Sequence, residues 1–309
     1  MKLLGRYKNG NYWVDIFDDG TKIRHNKENA LIPNTIESFD LKITNKCHHG
    51  CPMCHENSTP EGKNGDILNV SFLNNLHPYT EIAIGGGNPL EHPDLVKFLD
   101  FCKEKKFIPS MTIHMEDFLK KFNLIKILIQ EKLIYGLGVS YDKHTFTTNK
   151  VDFLNKIKQI PSAVIHIING LISVDELSEL AFQDLKILIL GYKHVRRGEL
   201  LYQNEKAKKD ILKKQNQLYT TLEGIINEGW FEVVSFDNLA LKQLDVQDLM
   251  SKETWDEFYM GDDGIDGNQT SASMFIDLVE KKFAKNSCDM SRYDLLDTVE
   301  EMYSFLLKQ

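Results

Sequence analysis

The sequence predicts an α/β fold with an N-terminal β-hairpin, six strand–helix units and a C-terminal α+β extension. Two observations lead to this fold class: six short apolar runs alternate with helical patterns, and the alternation stops on either side of them. Strand–helix repeats at this spacing imply parallel strands with right-handed crossovers. Six units are too few for a closed eight-stranded barrel, so they suit an open partial barrel or a doubly wound sheet. In both, the functional site lies at the carboxyl ends of the strands.

The first 37 residues predict a small β appendage. Asn11–Phe17 and Thr21–Asn26 are short strand-like runs, and Asp18-Asp19-Gly20 between them is typical of a hairpin turn.

Residues 38–198 carry the regular alternation. The six strands are predicted at Phe39–Thr44, Glu81–Ile84, Ser110–His114, Leu137–Tyr141, Val164–Ile168 and Leu185–Leu190. The helical patterns between them cover Val70–Leu76, Asp94–Lys105, Asp117–Lys132, Lys150–Ile160 and Val174–Ala181. Ser173 stands where a helix N-cap is expected.

Residues 199–309 form the predicted extension, which we expect to cover the barrel mouth. Its segments are a lysine-rich helix from Gln203 to about Gly229, a strand at Phe231–Phe236, an acidic turn-rich stretch at Asp245–Asp266, a strand at Met274–Val279 and a terminal helix at Asp294–Leu307. We expect Met274–Val279 to pack against the barrel, and Asp262–Gly264 to influence turnover of the substrate.

Composition excludes several classes of protein. The 309 residues carry 37 Lys and Arg against 45 Asp and Glu, so the net charge of −8 argues against nucleic-acid binding through bulk charge. No apolar run approaches the roughly 20 residues of a membrane span, and the start resembles no secretory signal. Three of the five cysteines fall within eight residues, which favours a metal or redox site in a cytoplasmic protein over a disulfide scaffold.

The cysteine cluster is the strongest signal. Cys47, Cys51 and Cys54 form a C-x₃-C-x₂-C triplet just after the first core strand. Three thiolates are one fewer than an iron–sulfur cluster usually has, and a 4Fe–4S cluster held this way leaves one iron open to a substrate. A Cys₃His zinc site completed by His48, His49 or His55 is an alternative, and a redox C-x-x-C is another.

A glycine run, Gly85-Gly86-Gly87-Asn88-Pro89, ends the second strand on the same rim. An isolated triple glycine is usually a tight turn. At this position, the missing side chains also allow a ligand to approach the backbone.

Together these motifs resemble those of the radical S-adenosylmethionine superfamily, whose cysteine loop follows the first strand of a partial (β/α)6 TIM-like barrel. The resemblance implies that Cys47, Cys51 and Cys54 ligate three irons of one 4Fe–4S cluster. The open iron would bind the amino and carboxylate groups of S-adenosylmethionine. Gly85, Gly86 and Gly87 match the superfamily's GGEP motif, which meets the cofactor's amino group, whereas Asn88 replaces its glutamate and brings no charge.

The resemblance also indicates cofactor contacts at later strand ends. Ser140 and Asp142 stand where the superfamily meets the ribose, and Asn169 where it places another polar contact; a loop start and a turn asparagine are the alternatives. Arg196 and Arg197 either hold an anionic group or form a solvated loop end.

The resemblance implies an oxygen-sensitive cytoplasmic enzyme that makes a 5′-deoxyadenosyl radical and abstracts a substrate hydrogen. A peptide or protein side chain is the favoured substrate, followed by a small metabolite or nucleoside. An electron donor such as flavodoxin or ferredoxin is an expected partner, with no membrane or nucleic acid. The alternative function is a non-catalytic, zinc-stabilised binding module that uses the three cysteines and a nearby histidine.

Overall fold

A computed structural model of the chain describes residues 2–27, 31–258 and 272–309. Within these ranges the strands form one sheet of three strands and one sheet of ten. The predicted site at Asp262–Gly264 lies outside the described residues.

The N-terminal appendage is the three-stranded sheet. It consists of β1 (Leu3–Asn9), β2 (Tyr12–Phe17) and β3 (Lys22–His25), all antiparallel. The predicted hairpin corresponds to β2 and β3, whereas β1 was missed because its run has no clear apolar alternation and is interrupted by a register shift between Leu3 and Gly5.

The large sheet has eight parallel strands in the described part of the chain. They are β4 (Ser38–Thr44), β5 (Glu81–Gly86), β6 (Ile108–His114), β7 (Gly136–Ser140), β8 (Ala163–Ile168), β9 (Lys186–Leu190), β10 (Val233–Phe236) and β11 (Ser273–Asp277). The antiparallel strands β12 (Lys282–Ala284) and β13 (Tyr293–Asp294) complete it, in the order β10-β9-β8-β7-β6-β5-β4-β11-β12-β13. All six predicted core strands are present.

Helices connect the parallel strands. The α-helices are α1 (Leu95–Lys105), α2 (Met115–Lys120), α3 (Phe122–Gln130), α4 (Lys143–Ile157), α5 (Val174–Ser178), α6 (Arg197–Gln203), α7 (Glu205–Asn227), α8 (Asn238–Gln243), α9 (Lys252–Phe258) and α10 (Val299–Leu306). Short 3₁₀ turns occupy Ser71–Asn75, Pro89–Glu91 and Val246–Leu249. The helix predicted at Asp117–Lys132 is divided between α2 and α3, because the backbone of Lys121 leaves the helical region. None of the described helices is both long enough and apolar enough to span a bilayer.

The two faces of the large sheet have different environments. On β6, Met111 and Ile113 are buried in the core shared with the helices, whereas Ser110, Thr112 and His114 on the opposite face are half-exposed. Alternation of this kind is expected for a curved sheet with helices outside and an accessible concave face. Strand β6 therefore presents small and polar side chains to the face of the sheet opposite the buried core.

The C-terminal region joins this sheet at both edges. Strand β10 pairs in parallel with β9, and β11 pairs in parallel with β4, the strand that precedes the cysteine loop. The expectation that Met274–Val279 packs against the barrel is confirmed in a stronger form, because Ser273–Asp277 is itself a strand of the barrel sheet. Sequence spacing could not show this pairing, since more than 200 residues separate the two strands.

Candidate functional site

The cysteine loop begins directly after β4 and is folded back on itself. The amide of Cys47 donates to the carbonyl of Thr59 at 2.8 Å, and the amide of Asn45 donates to the carbonyl of Lys63 at 2.8 Å. Within the loop, the amide of Cys54 donates to the carbonyl of Cys51 at 3.2 Å. Cys47, Cys51 and Cys54 are all half-buried free thiols at the carboxyl end of β4. The loop thus brings three potential ligands to the edge of the sheet where a site was predicted.

The three cysteine sulfurs do not all lie within 4.8 Å of one another. In the described part of the chain, no group of three metal-binding side-chain atoms within 4.8 Å of one another includes a cysteine. A single tetrahedral zinc ion, with Zn–S bonds of about 2.3 Å, would hold three sulfurs about 3.8 Å apart. A single zinc ion on the three cysteines would therefore require their sulfurs to move closer together, whereas an iron–sulfur cluster distributes its thiolate ligands over separate irons.

Burial shifts the proton equilibria of two of the three thiols. Burial raises the pKa of Cys51 to about 11, and the neighbouring Cys54 and Cys47 contribute to the rise. Burial likewise raises the pKa of Cys47. Thiols in such surroundings stay protonated at neutral pH unless a metal centre stabilises the thiolates. A bound metal centre would therefore stabilise the ionised forms of Cys47 and Cys51.

The histidines that were candidates for a fourth ligand contact carboxylates instead. His48 Nδ1 lies 2.5 Å from Glu91 Oε1, and His49 Nε2 lies 2.5 Å from Asp117 Oδ2. The ring of His49 stacks on that of His114, with centroids 3.9 Å apart. Burial opposes ionisation of Asp117, but the hydrogen bond with His49 brings the pKa of Asp117 below its usual value.

These histidines and carboxylates form two groups with metal-binding potential. The ligand atoms lie within 4.8 Å of one another in His48, His49 and Asp117, and also in His49, His114 and Glu116. The third candidate, His55, has its Nε2 atom 3.5 Å from Glu56 Oε1. The predicted Cys₃His combination is thus not assembled in the described residues.

The three glycines after β5 have different physical roles. Gly86 has φ of +110°, and a Cβ atom there would lie 2.4 Å from the carbonyl oxygen of Thr44. A Cβ atom on Gly87 would lie 2.2 Å from the carbonyl oxygen of Lys46. At Gly85, a Cβ atom would have no neighbour within 4 Å. Gly86 and Gly87 therefore allow the glycine run to pack on the cysteine loop, whereas Gly85 leaves open space on the accessible face.

Backbone hydrogen bonds fix this contact between the two loops. The amide of Gly87 donates to the carbonyl of Thr44 at 2.7 Å, and the amide of Asn88 donates to the carbonyl of Lys46 at 2.8 Å. The structure thus brings the cysteine triplet and the glycine run together, as their positions after adjacent strands predict.

Asn88 is buried and fully engaged with protein groups. Its Nδ2 atom donates to Asp117 Oδ2 at 2.8 Å and to Glu91 Oε1 at 3.1 Å. Its Oδ1 atom accepts from the amide of Leu90 at 3.2 Å and caps the 3₁₀ turn. Asn88 therefore links the glycine run to the histidine–carboxylate groups, a role that the sequence did not reveal.

The later strand ends differ in how far they are available to a ligand. Ser140 is half-buried at the end of β7 on the accessible face. Asp142 caps α4 by accepting a hydrogen bond from the amide of Thr145 at 2.7 Å. Asn169 is fully buried and donates to Gln243 Oε1 at 3.2 Å, and its own Oδ1 atom has no partner in the described chain. Asp142 and Asn169 are thus engaged with protein groups, and Asn169 is in addition fully buried, whereas Ser140 and Asp142 are both half-buried.

Arg196 and Arg197 attach the barrel rim to the cysteine loop. Arg196 Nη1 donates to the carbonyl of His55 at 2.8 Å, and Arg197 Nη2 donates to the carbonyl of Ser58 at 3.0 Å. Neither expected role, an anion site or a solvated loop end, describes these contacts. Both guanidinium groups stabilise the segment that follows Cys54.

A buried ionic network connects the same segment to the C-terminal region. Lys42 on β4 is 2% exposed, and its Nζ atom lies 2.8 Å from Glu56 Oε2 and 2.9 Å from Asp277 Oδ2. Glu56 also pairs with Arg196 at 3.3 Å. Sequence reasoning missed these residues, although a lysine in the apolar run of β4 was a signal, because charged side chains are seldom fully buried without partners.

Of three comparisons with known proteins, the one with solved structures finds matches. No protein-family model and no curated protein matches the chain. SuiB of Streptococcus suis bound to the precursor peptide SuiA matches with a TM-score of 0.58 and 13% identity. That match covers 88% of this chain and 65% of SuiB. SuiB bound to S-adenosylmethionine matches with a TM-score of 0.56 and 14% identity, over 88% of this chain and 66% of SuiB.

The chain therefore spans about two thirds of the length of the SuiB structures that it matches. At these identities, the likeness establishes the fold. The α/β architecture expected from the resemblance to the radical S-adenosylmethionine superfamily is confirmed, and this chain has the same partial-barrel fold as SuiB.

Proposed function

We propose that this protein is a radical S-adenosylmethionine enzyme with one 4Fe–4S cluster on Cys47, Cys51 and Cys54. The observation that carries the proposal is the contact between the folded cysteine loop and the glycine run at the carboxyl ends of β4 and β5. When bound, the cluster would supply one electron to S-adenosylmethionine, and cleavage of its C–S bond gives a radical that abstracts hydrogen from the substrate. The SuiB structure with S-adenosylmethionine supports this assignment at the level of the fold.

The chain's own residues would bind and position the cofactor. The three cysteines are the metal ligands, and the amides of Gly87 and Asn88 keep the glycine run against their loop. Gly85 leaves space near the carboxyl end of β5 for the cofactor, and Ser140 offers a hydroxyl at the end of β7. Exclusion of water from such a site protects a reactive intermediate from side reactions. Substrate choice would depend on the accessible concave face and the loops around it.

We propose a peptide or protein side chain as the substrate. SuiB was solved with a precursor peptide, and the present chain shares its fold. The small side chains of Ala83 and Ser110 on the concave face leave room for an extended ligand. An external electron donor such as flavodoxin or ferredoxin completes the proposed system, because the reaction consumes an electron.

Substitution of the cysteines tests the cluster. We expect Cys51→Ala to lose most of the bound iron and the reductive cleavage of S-adenosylmethionine after anaerobic reconstitution. Cys102→Ala and Cys288→Ala are matched controls, because neither residue lies in the loop, and both should keep iron. Visible absorption and iron content provide the measurements. A colourless wild-type protein with stoichiometric zinc would instead support the zinc-stabilised binding module.

A further inference from the structure

We propose that Lys193 and Arg292 form a binding site for a carboxylate group at the rim of the barrel. Both side chains meet at Ser287. Lys193 Nζ donates to Ser287 Oγ at 3.0 Å, and Arg292 Nη2 donates to the carbonyl oxygen of Ser287 at 2.8 Å. Two cations that converge on one uncharged residue repel each other, and an anion between them would relieve that repulsion.

Carboxylates of the described chain do not neutralise this pair at ion-pair distance. Three acidic groups act on Arg292 from a greater distance. Glu56 pairs with Lys42 and Arg196, Asp277 pairs with Lys42, and Asp289 accepts a hydrogen bond from the amide of Ser291. Within the described ranges, neither Lys193 nor Arg292 has a carboxylate oxygen within 4.0 Å. Lys193 and Arg292 are therefore half-buried cations without an ion-pair partner among the described residues.

Arg292 retains an unused donor. Its Nη1 atom is buried and has no hydrogen-bond partner among the described residues. Its guanidinium carbon lies 4.4 Å from the ring centroid of Phe275, which fixes the plane of the group. Burial lowers the pKa of Arg292; the nearby Glu56 opposes this effect and Arg196 adds to it. A buried charged donor without a partner is costly, so a ligand oxygen at this point would stabilise the protein.

The position of the pair connects it to the cysteine loop. Lys193 follows the carboxyl end of β9, and three residues later Arg196 donates to the carbonyl of His55, the residue after Cys54. Phe275, under Arg292, lies on β11 next to β4. The cations thus stand on the rim that the proposed cofactor and its substrate would share.

The identity of the ligand rests on the proposed function. An unmodified peptide and S-adenosylmethionine both carry carboxylates, and neither carries a phosphate. Lys193 and Arg292 supply the charge-assisted hydrogen bonds that such a group accepts. The carboxylate comes from either the substrate or the cofactor, and competition between the two distinguishes these sources.

Thermal unfolding of the reconstituted full chain with glutarate as the probe tests the site. At about tenfold excess over its dissociation constant, glutarate should raise the midpoint by roughly 2–4 °C relative to chloride at equal ionic strength. Lys193→Met and Arg292→Met should abolish the rise. Lys285→Met is the matched control, because this exposed lysine lies two residues before Ser287, and it should keep the rise.

Equilibrium binding of S-adenosylmethionine to these variants, with and without glutarate, shows whether the bound carboxylate belongs to the substrate or to the cofactor. If glutarate leaves cofactor affinity unchanged, the site receives a substrate carboxylate. If glutarate and both substitutions weaken cofactor binding about tenfold, it receives the cofactor's carboxylate. The absence of a glutarate effect in the wild type, or an equal effect in all variants, overturns the proposal. Failure of the proposed function would instead appear as absence of iron and of cofactor cleavage in the wild type, which the glutarate measurement does not require.

Discussion

Alanine substitutions at Gly85 and Gly86 should separate cofactor binding from support of the cysteine loop. These glycines are adjacent in sequence and both end β5. The perturbation is the same single methyl group, but its surroundings differ. At Gly86 the new Cβ atom would meet the carbonyl oxygen of Thr44 at 2.4 Å and Lys42 Cγ at 2.7 Å, whereas at Gly85 it would meet no atom within 4 Å.

The expected magnitudes follow from these contacts. A side chain at the positive φ of Gly86 costs about 1–2 kcal/mol, and the overlap with Thr44 and Lys42 adds about 1–3 kcal/mol. Gly86→Ala should therefore lower the free energy of unfolding by about 2–5 kcal/mol and distort the cysteine loop. Gly85→Ala should change stability by less than about 1 kcal/mol. If the cofactor fills the space beside Gly85, overlap of about 1–3 kcal/mol weakens its binding roughly 5- to 150-fold.

The assay combines three measurements on each variant: urea unfolding, iron content after anaerobic reconstitution, and equilibrium binding of S-adenosylmethionine. Gly85→Ala should keep stability and iron but lose cofactor affinity, and Gly86→Ala should lose stability and iron together. Unchanged cofactor affinity in a folded, iron-loaded Gly85→Ala protein would refute the assignment of this space to the cofactor. Unchanged stability of Gly86→Ala would refute the steric argument.

Two further sites give predictions. Lys42→Met should lower the free energy of unfolding in urea by about 3–5 kcal/mol, because it leaves the buried Asp277 without an ion-pair partner and Glu56 with Arg196 alone. A change below about 1 kcal/mol would contradict the network. Asp142→Ala should lower the free energy of unfolding by about 1 kcal/mol, because α4 loses its N-cap, and it should leave cofactor affinity unchanged. Weaker cofactor binding by this variant would support the predicted contact between Asp142 and the ribose. Burial opposes ionisation of Asp142, but the hydrogen bond from Thr145 lowers its pKa, so its stabilising effect is present above about pH 4 and is lost as the pH falls through the lowered value. Asp142→Asn should remove this acid-side loss in unfolding measurements at pH 3–5, and an unchanged pH profile would contradict it.

The sequence alone was sufficient to place the six core strands and the motifs that follow them. The apolar run of β4 and the triplet after it depend on local periodicity and spacing, which are fully visible in one stretch of chain. Parallel order then requires that the ends of β4 and β5 lie on one edge, so the meeting of the cysteine loop with Gly85–Gly87 was also predictable.

The tertiary structure decided which of those residues are free to bind a ligand. Gly85, Gly86 and Gly87 are chemically identical in sequence, and only the positions of the Thr44 and Lys46 carbonyls distinguish the open one from the two that are packed. Asn88, predicted as a cofactor contact, donates its side-chain amide to Asp117.

The structure also decided which distant segments complete the site. Lys42 is paired with Asp277, and Lys193 meets Arg292 at Ser287, because β11 and the loop before β13 return to the barrel after long intervening segments. Local sequence determines which stretches form strands and turns, since that depends on neighbours in the chain. Which charges are paired and which remain unpaired depends on groups far apart in sequence, so it follows only from the folded chain.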